Sequence, residues 1–153
     1  MLVCDDEDCY HIGMNMRVRS RLVPVLLLLG TVSLSAQIGS GPMGGNVRVS
    51  VVSEFTRVQP GDTFFAALRQ RIRPDWHTYW QNPGDSGQAT RMQWQLPEGF
   101  SVGAFEWPAP ETFFFEGLAS YGYSTEVYLP FEIHVDRDVQ PGTYTLTGRA
   151  FWL

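Results

Sequence analysis

Cysteine is nearly missing from this chain of 153 residues. Cys4 and Cys9 occur, and none follows in the remaining 144 positions. A lone C-x4-C pair does not have the usual spacing of zinc ligands. Nothing after residue 9 can form a structural disulfide, so a domain built there is held by its core alone. Lysine is absent as well: all 11 basic residues are arginine, which reflects genome composition rather than function. The net charge is −5 and no basic patch exists, which excludes nucleic acid as a partner. His77 and His134 stand far apart and suggest no metal site. No Ser-His-Asp arrangement and no phosphate loop is present. No segment sustains a period of 3.6, and no internal repeat is visible.

The first 36 residues read as leader and signal peptide. Arg17, Arg19 and Arg21 form a positive n-region, and Leu22 to Leu34 is an apolar run broken only by Pro24, Gly30, Thr31 and Ser33. Ser33 and Ser35 stand at the −3 and −1 spacing of a signal-peptidase site, with Ala36 as a second choice. The run is shorter than the roughly 20 residues that span a bilayer. The acidic stretch Asp5-Asp6-Glu7-Asp8 is unlike an n-region, so translation is expected to start at Met14 or Met16. Residues 37–46 are Gly-rich and predict a flexible lead-in. Removing the first 36 residues leaves eight basic and twelve acidic residues, a net charge of −4. The remaining 117 residues suffice for one domain, which buries about two-thirds of its unfolded surface.

Residues 47–153 carry an all-β pattern. Val47, Val49 and Val51 alternate with polar partners. Gln59-Pro60-Gly61-Asp62 predicts a turn. Thr63 to Arg73 follows as a strand, with Leu68 and Ile72 on one face and Arg69, Arg71 and Arg73 on the other. Further strands are expected at Trp76–Trp80, Thr90–Leu96, Val102–Trp107, Glu126–Val135 and Thr143–Leu153. Pro97-Glu98-Gly99 and Gln140-Pro141-Gly142 supply turns. Short strands with Pro-Gly turns at regular spacing predict a β-sandwich. An aromatic content of 14% supplies dense core material.

Two segments concentrate chemistry. In Pro74-Asp75-Trp76-His77-Thr78-Tyr79-Trp80-Gln81-Asn82-Pro83-Gly84-Asp85-Ser86-Gly87, alternation sets Trp76, Thr78 and Trp80 on one strand face and His77 with Tyr79 on the other. We expect the tryptophans on the core side. Residues 108–125 read as a long irregular loop, a form that is functional or disordered in compact domains. Its aromatics argue against disorder. Within it, Phe113-Phe114-Phe115 is expected to plug one end of the sandwich, and Tyr121-Gly122-Tyr123 combines a glycine hinge with two aromatic rings. Asp85 and Glu116 read as solvated turn residues rather than an acid–base pair.

Trp76-His77-Thr78-Tyr79-Trp80-Gln81-Asn82-Pro83-Gly84-Asp85-Ser86-Gly87 resembles the signature of the periplasmic N-terminal domain of DsbD-type and ScsB-type disulfide interchange proteins. Trp107-Pro108-Ala109-Pro110-Glu111, Tyr121-Gly122-Tyr123 with Glu126-Val127 and Leu129-Pro130, and Ala150-Phe151-Trp152-Leu153 agree with it. The resemblance covers residues 47–153. It implies an immunoglobulin-like β-sandwich and protein-disulfide reductase chemistry without a cofactor, in a periplasmic domain. It further implies that Tyr121, Gly122 and Tyr123 form a cap loop over a disulfide, and that His77 and Tyr79 lie beside it. The family's cap phenylalanine stands here as Ser120, or is supplied by Tyr121 or Tyr123. The redox cysteine pair is expected just after Leu153, so this chain supplies scaffold and cap and is inactive alone. The implied partners are periplasmic thioredoxin-like or disulfide-isomerase proteins and a membrane electron-transfer domain of the same full-length protein. An alternative reading is a non-catalytic module that binds carbohydrate or protein through Trp76, Trp80, Trp94 and Trp107. A third is an assembly domain that works by strand addition.

The export reading predicts a mature protein that begins near Ala36. N-terminal sequencing of the exported product checks this, and a product that retains Cys4 contradicts it.

Overall fold

A computed structural model describes residues 9–20 and 45–153. The apolar run, Cys4, the cleavage region and most of the Gly-rich lead-in lie outside the described residues. Eleven strands occur among those described: β1 (Cys9–Val18), β2 (Val47–Ser53), β3 (Arg57–Val58), β4 (Thr63–Ile72), β5 (Thr78–Gly84), β6 (Arg91–Gln95), β7 (Phe100–Val102), β8 (Glu111–Phe115), β9 (Leu118–Tyr123), β10 (Glu126–Val135) and β11 (Gly142–Phe151). They form a first sheet of order β3-β1-β11-β6, a second of order β2-β4-β10-β7, and a small third of order β5-β9-β8. The architecture is the expected immunoglobulin-like β-sandwich. No helix among the described residues is long and apolar enough to cross a membrane.

The period-2 pattern builds the core directly. In β4, Phe64, Ala66, Leu68 and Ile72 are buried, while Phe65 and Arg71 are exposed. β10 repeats this with Val127, Leu129, Phe131, Ile133 and Val135 inward. The first sheet answers with Met16, Val18, Leu146 and Ala150. Trp94 packs on Phe131 with ring centroids 5.2 Å apart, which ties β6 to β10 across the sandwich. On the outer face of the second sheet, Glu126 accepts hydrogen bonds from Arg71 Nε at 2.9 Å and Arg69 Nε at 2.7 Å. Arg71 and Arg69 hold the Glu126 carboxyl below its ordinary range. The turn after β3 closes through Asp62, whose Oδ2 accepts from Gln59 N–H at 2.8 Å.

Three expectations are corrected, and the stretch assigned by sequence to the leader contributes a strand. Residues 9–18 pair with all ten positions of β11. Ile12, Met14, Met16 and Val18 point inward, an alternation hidden by the reading of this segment as export signal. The strand expected at Val102–Trp107 ends at Val102, although Glu106 N–H still reaches Pro130 O at 2.7 Å. The expected loop over 108–125 holds the β8–β9 hairpin, whose turn takes Glu116 and Gly117 at φ of +50° and +87°. Positive φ at both central residues matches the right-handed twist of a two-residue hairpin. Phe114 and Phe115 stand exposed at its tip rather than plugging the core, because no other element among the described residues covers this sheet end.

The two faces of the second sheet predict unequal mutational costs. Phe131→Ala is expected to lose about 3–5 kcal/mol, and Phe65→Ala, on the outer face, under about 1 kcal/mol. Urea melts of both variants check the assignment of faces.

Candidate functional site

Gln70 is the one polar side chain on the inward face of β4 and is fully buried. Its Oε1 accepts from Thr78 Oγ1 at 2.9 Å, and its Nε2 donates to Thr90 Oγ1 at 3.1 Å. Thr78 opens β5 and Thr90 precedes β6, and both are buried. One amide therefore joins the second sheet, the third sheet and the approach to the first. Both partners are needed, because a buried unpaired polar group costs about 1–3 kcal/mol.

The third sheet grows from this point. β5 pairs with β9 through Thr78↔Tyr123 and Tyr79↔Gly122. Gly122 permits the pairing: a Cβ there would lie 2.0 Å from Thr78 O. After the pairs near Tyr79 the register shifts, and Asn82-Pro83-Gly84-Asp85-Ser86-Gly87 folds back as a clasp on β9. Asp85 N–H donates to Ala119 O at 2.9 Å, and Asp85 Oδ2 accepts from Ala119 N–H at 2.8 Å. Ser86 and Ser120 hydroxyls share a hydrogen bond of 3.0 Å. Gly87 lies under the Tyr79 ring, where any Cβ would sit 2.2 Å from a ring carbon. Asp85 is thus a backbone clasp and makes no pair with Glu116.

Directly paired residues share a sheet face, and this register divides the five residues singled out by sequence. His77 and Tyr79 share one face with Gly122. Tyr121 and Tyr123 occupy the other, with Thr78. On the first face His77 Nε2 and Tyr79 Oη share a hydrogen bond of 3.2 Å. The imidazole stacks on Phe113 at 4.7 Å with planes 21° apart. A polar pair therefore lies against an aromatic ring, and the Ser86–Ser120 pair joins the clasp to β9. On the second face Tyr123 is buried and donates to Pro108 O at 2.8 Å. Burial pushes its phenol up to about 12. Tyr121–Tyr123 is thus strand, not irregular loop. The exposed aromatics of this region stand at the hairpin tip, with Phe114 at 78% and Phe115 at 74% exposure.

The tryptophans behave differently from expectation. Trp80 packs against the core. Trp76 is 53% exposed, because Asp75 turns the backbone at φ +69° and β5 starts only at Thr78. Trp94 and Trp107 pack on the core, so the four rings form no common platform. The Trp80 indole N–H is buried without a hydrogen-bond partner among the described residues. The reversal into β10 places Thr125 at φ +63°, a strained position for a β-branched residue. Its carbonyl accepts from Ile72 N–H at 2.6 Å and so fastens β4 to the same end. The described residues hold no group of three or more His, Cys, Asp or Glu that could bind a metal. Sequence reasoning missed Gln70, Thr90, Phe113 and Ser86. A polar residue at an inward register position between Leu68 and Ile72 was the available signal for Gln70.

A family model described as "Thiol:disulfide interchange protein DsbD, N-terminal" matches residues 47–152. Among solved structures, the N-terminal periplasmic domain of ScsB from Proteus mirabilis is similar, with 21% sequence identity and a TM-score of 0.46. That likeness covers 69% of this chain and 47% of the other, so the chain spans about half the length of the solved one. No curated protein matches the chain.

Two measurements check the site. The neutral Tyr123 phenol stabilises the fold, fully so below pH 10, and this contribution is lost as pH rises from 10 through about 12. Spectrophotometric titration should show one tyrosine ionising late, and Tyr123→Phe should remove that step. Trp80→Ala is expected to cost about 3 kcal/mol, whereas Tyr79→Phe, which loses one part-exposed hydrogen bond, should cost about 1 kcal/mol or less. Equal losses in urea melts contradict the assignment.

Proposed function

The chain belongs to the family of N-terminal domains of the thiol:disulfide interchange protein DsbD, and on that premise we propose that it is the scaffold and cap of a periplasmic electron relay. The observation that carries this reading is the family match over residues 47–152, which includes the clasp motif and β9. The position of β11 supports it. Phe151 pairs with Arg91, next to the Thr90 that Gln70 holds together with Thr78. The chain thus leaves the first sheet at the end where the third sheet is anchored, and a cysteine pair following Leu153 would emerge toward β5 and β9.

The chemistry is thiol–disulfide exchange. A thiolate of the reduced pair attacks one sulfur of a partner disulfide and expels the other as thiolate, which takes up a proton. The second cysteine then attacks the mixed disulfide. The partner leaves with two more electrons, and the domain holds the new disulfide. A membrane domain of the full-length protein re-reduces it. The partners are periplasmic thioredoxin-like or disulfide-isomerase proteins. In this reading β9 and the exposed β8–β9 tip form the cover. Access to sulfur controls exchange, so a cover slows adventitious thiols. Because Tyr123 is core, the moving part is Tyr121 and the tip, not the whole Tyr121-Gly122-Tyr123 segment.

The test compares the 153-residue chain with the full-length protein in an exchange assay against an oxidised thioredoxin-like substrate. Turnover is expected from the full-length protein alone. In it, Phe114→Ala with Phe115→Ala is expected to speed reduction of the domain's disulfide by a small thiol without changing the urea midpoint. Turnover by the 153-residue chain overturns the role assignment.

A further inference from the structure

β1 joins the sandwich in an unusual way. It lies between β11 and β3, yet 28 residues separate Val18 from Val47, the next strand residue among those described, which belongs to the opposite sheet. No short turn fastens β1 to either neighbour. Among the described strands it is the first in sequence. Its ladder with β11 runs ten residues, Cys9↔Phe151 to Val18↔Gly142. Its parallel contact with β3 is only two residues, extended by Arg17 N–H to Thr56 O at 3.3 Å and Arg19 N–H to Val58 O at 2.9 Å.

We propose that the slot between β11 and β3 is a strand-acceptor site, and that its occupant, the chain's own Cys9–Val18 segment, is detachable. Three observations carry this. The slot reads an extended segment antiparallel to β11, with apolar side chains at four alternate positions; Ile12, Met14, Met16 and Val18 fill them, Met16 at 1% and Val18 at 3% exposure. It reads the outer face too, since Thr145 Oγ1 donates to Asn15 Oδ1 at 2.6 Å. Departure of β1 bares a ten-residue backbone edge and uncovers Leu146 and Ala150, both fully buried. Unpaired edges of that length are templates for strand addition. Arg17 and Arg19, part of the export signal read from sequence, sit inside this ladder or its margin. The signal and the folded sandwich therefore compete for the same residues, and on the reading that the leader is removed, processing opens the slot.

The test uses the full chain with a site-specific protease sequence inserted between Gly41 and Pro42. The chain is folded intact and then cut. A labelled synthetic peptide of residues 9–18, with Cys9→Ser to exclude thiol chemistry, is added. Saturable incorporation that survives gel filtration, and a melting temperature that falls when the cut piece is lost and recovers with peptide, are expected. A peptide with Met16→Asp and Val18→Asp should bind at least about tenfold more weakly, because it buries charges. Failure of the peptide to bind, equal binding of the Asp peptide, or loss of the piece with no change in melting temperature overturns the proposal. None of these readouts involves a thiol, so they are independent of the exchange assay.

Discussion

One buried amide decides how this domain is put together. Gln70 sits where the alternation of β4 calls for an apolar side chain, between Leu68 and Ile72. It is tolerated because both ends of the amide are answered, one by Thr78 and one by Thr90. A hydrophobic residue there would pack, but it could not distinguish the correct attachment of β5 from a slipped one. Hydrogen bonds in a dry interior are directional, and leaving them unmade is expensive. The third sheet, with little core of its own, takes its position from this contact and from the Tyr123 hydroxyl on Pro108.

The candidate surface follows from that anchoring. Thr78 facing inward forces His77 and Tyr79 to the opposite face, where Phe113 and Gly87 receive their rings. Gly122 brings β9 close enough to β5 that the clasp motif can grip Ala119 from both sides. On the proposed reading, the His77–Tyr79 face and the exposed β8–β9 tip are the two parts that would meet a partner. Phe114 and Phe115 are apolar and exposed, the composition of a contact surface.

Much of this was legible in the chain. Strands with strict alternation, such as β4, β10 and β11, and their Pro-Gly turns stood out because half-buried strands leave a period of two. The separation of His77 and Tyr79 from Thr78 and Trp80 was legible for the same reason. Trp76 was misjudged because alternation says nothing about where a strand begins; a left-handed Asp75 postpones β5 by two residues. The β8–β9 hairpin was hidden by three consecutive phenylalanines, which break the pattern, and by a Glu-Gly turn weaker as a signal than Asn-Gly. β1 was hidden by its neighbourhood: arginines and an apolar run beside Ile12, Met14, Met16 and Val18 directed attention to export. Gln70 could be seen as an anomaly in β4, but its partners, 8 and 20 residues away, are set by tertiary packing alone.

The dependence of the third sheet on Gln70 is tested most directly by amide hydrogen exchange on the chain and on Gln70→Leu, which keeps the volume and removes both hydrogen bonds. The account predicts that β5 and β9 lose far more protection than β10 and β11, whose ladders do not involve the amide. Equal loss in all strands, or unchanged protection in β5 and β9, would contradict it.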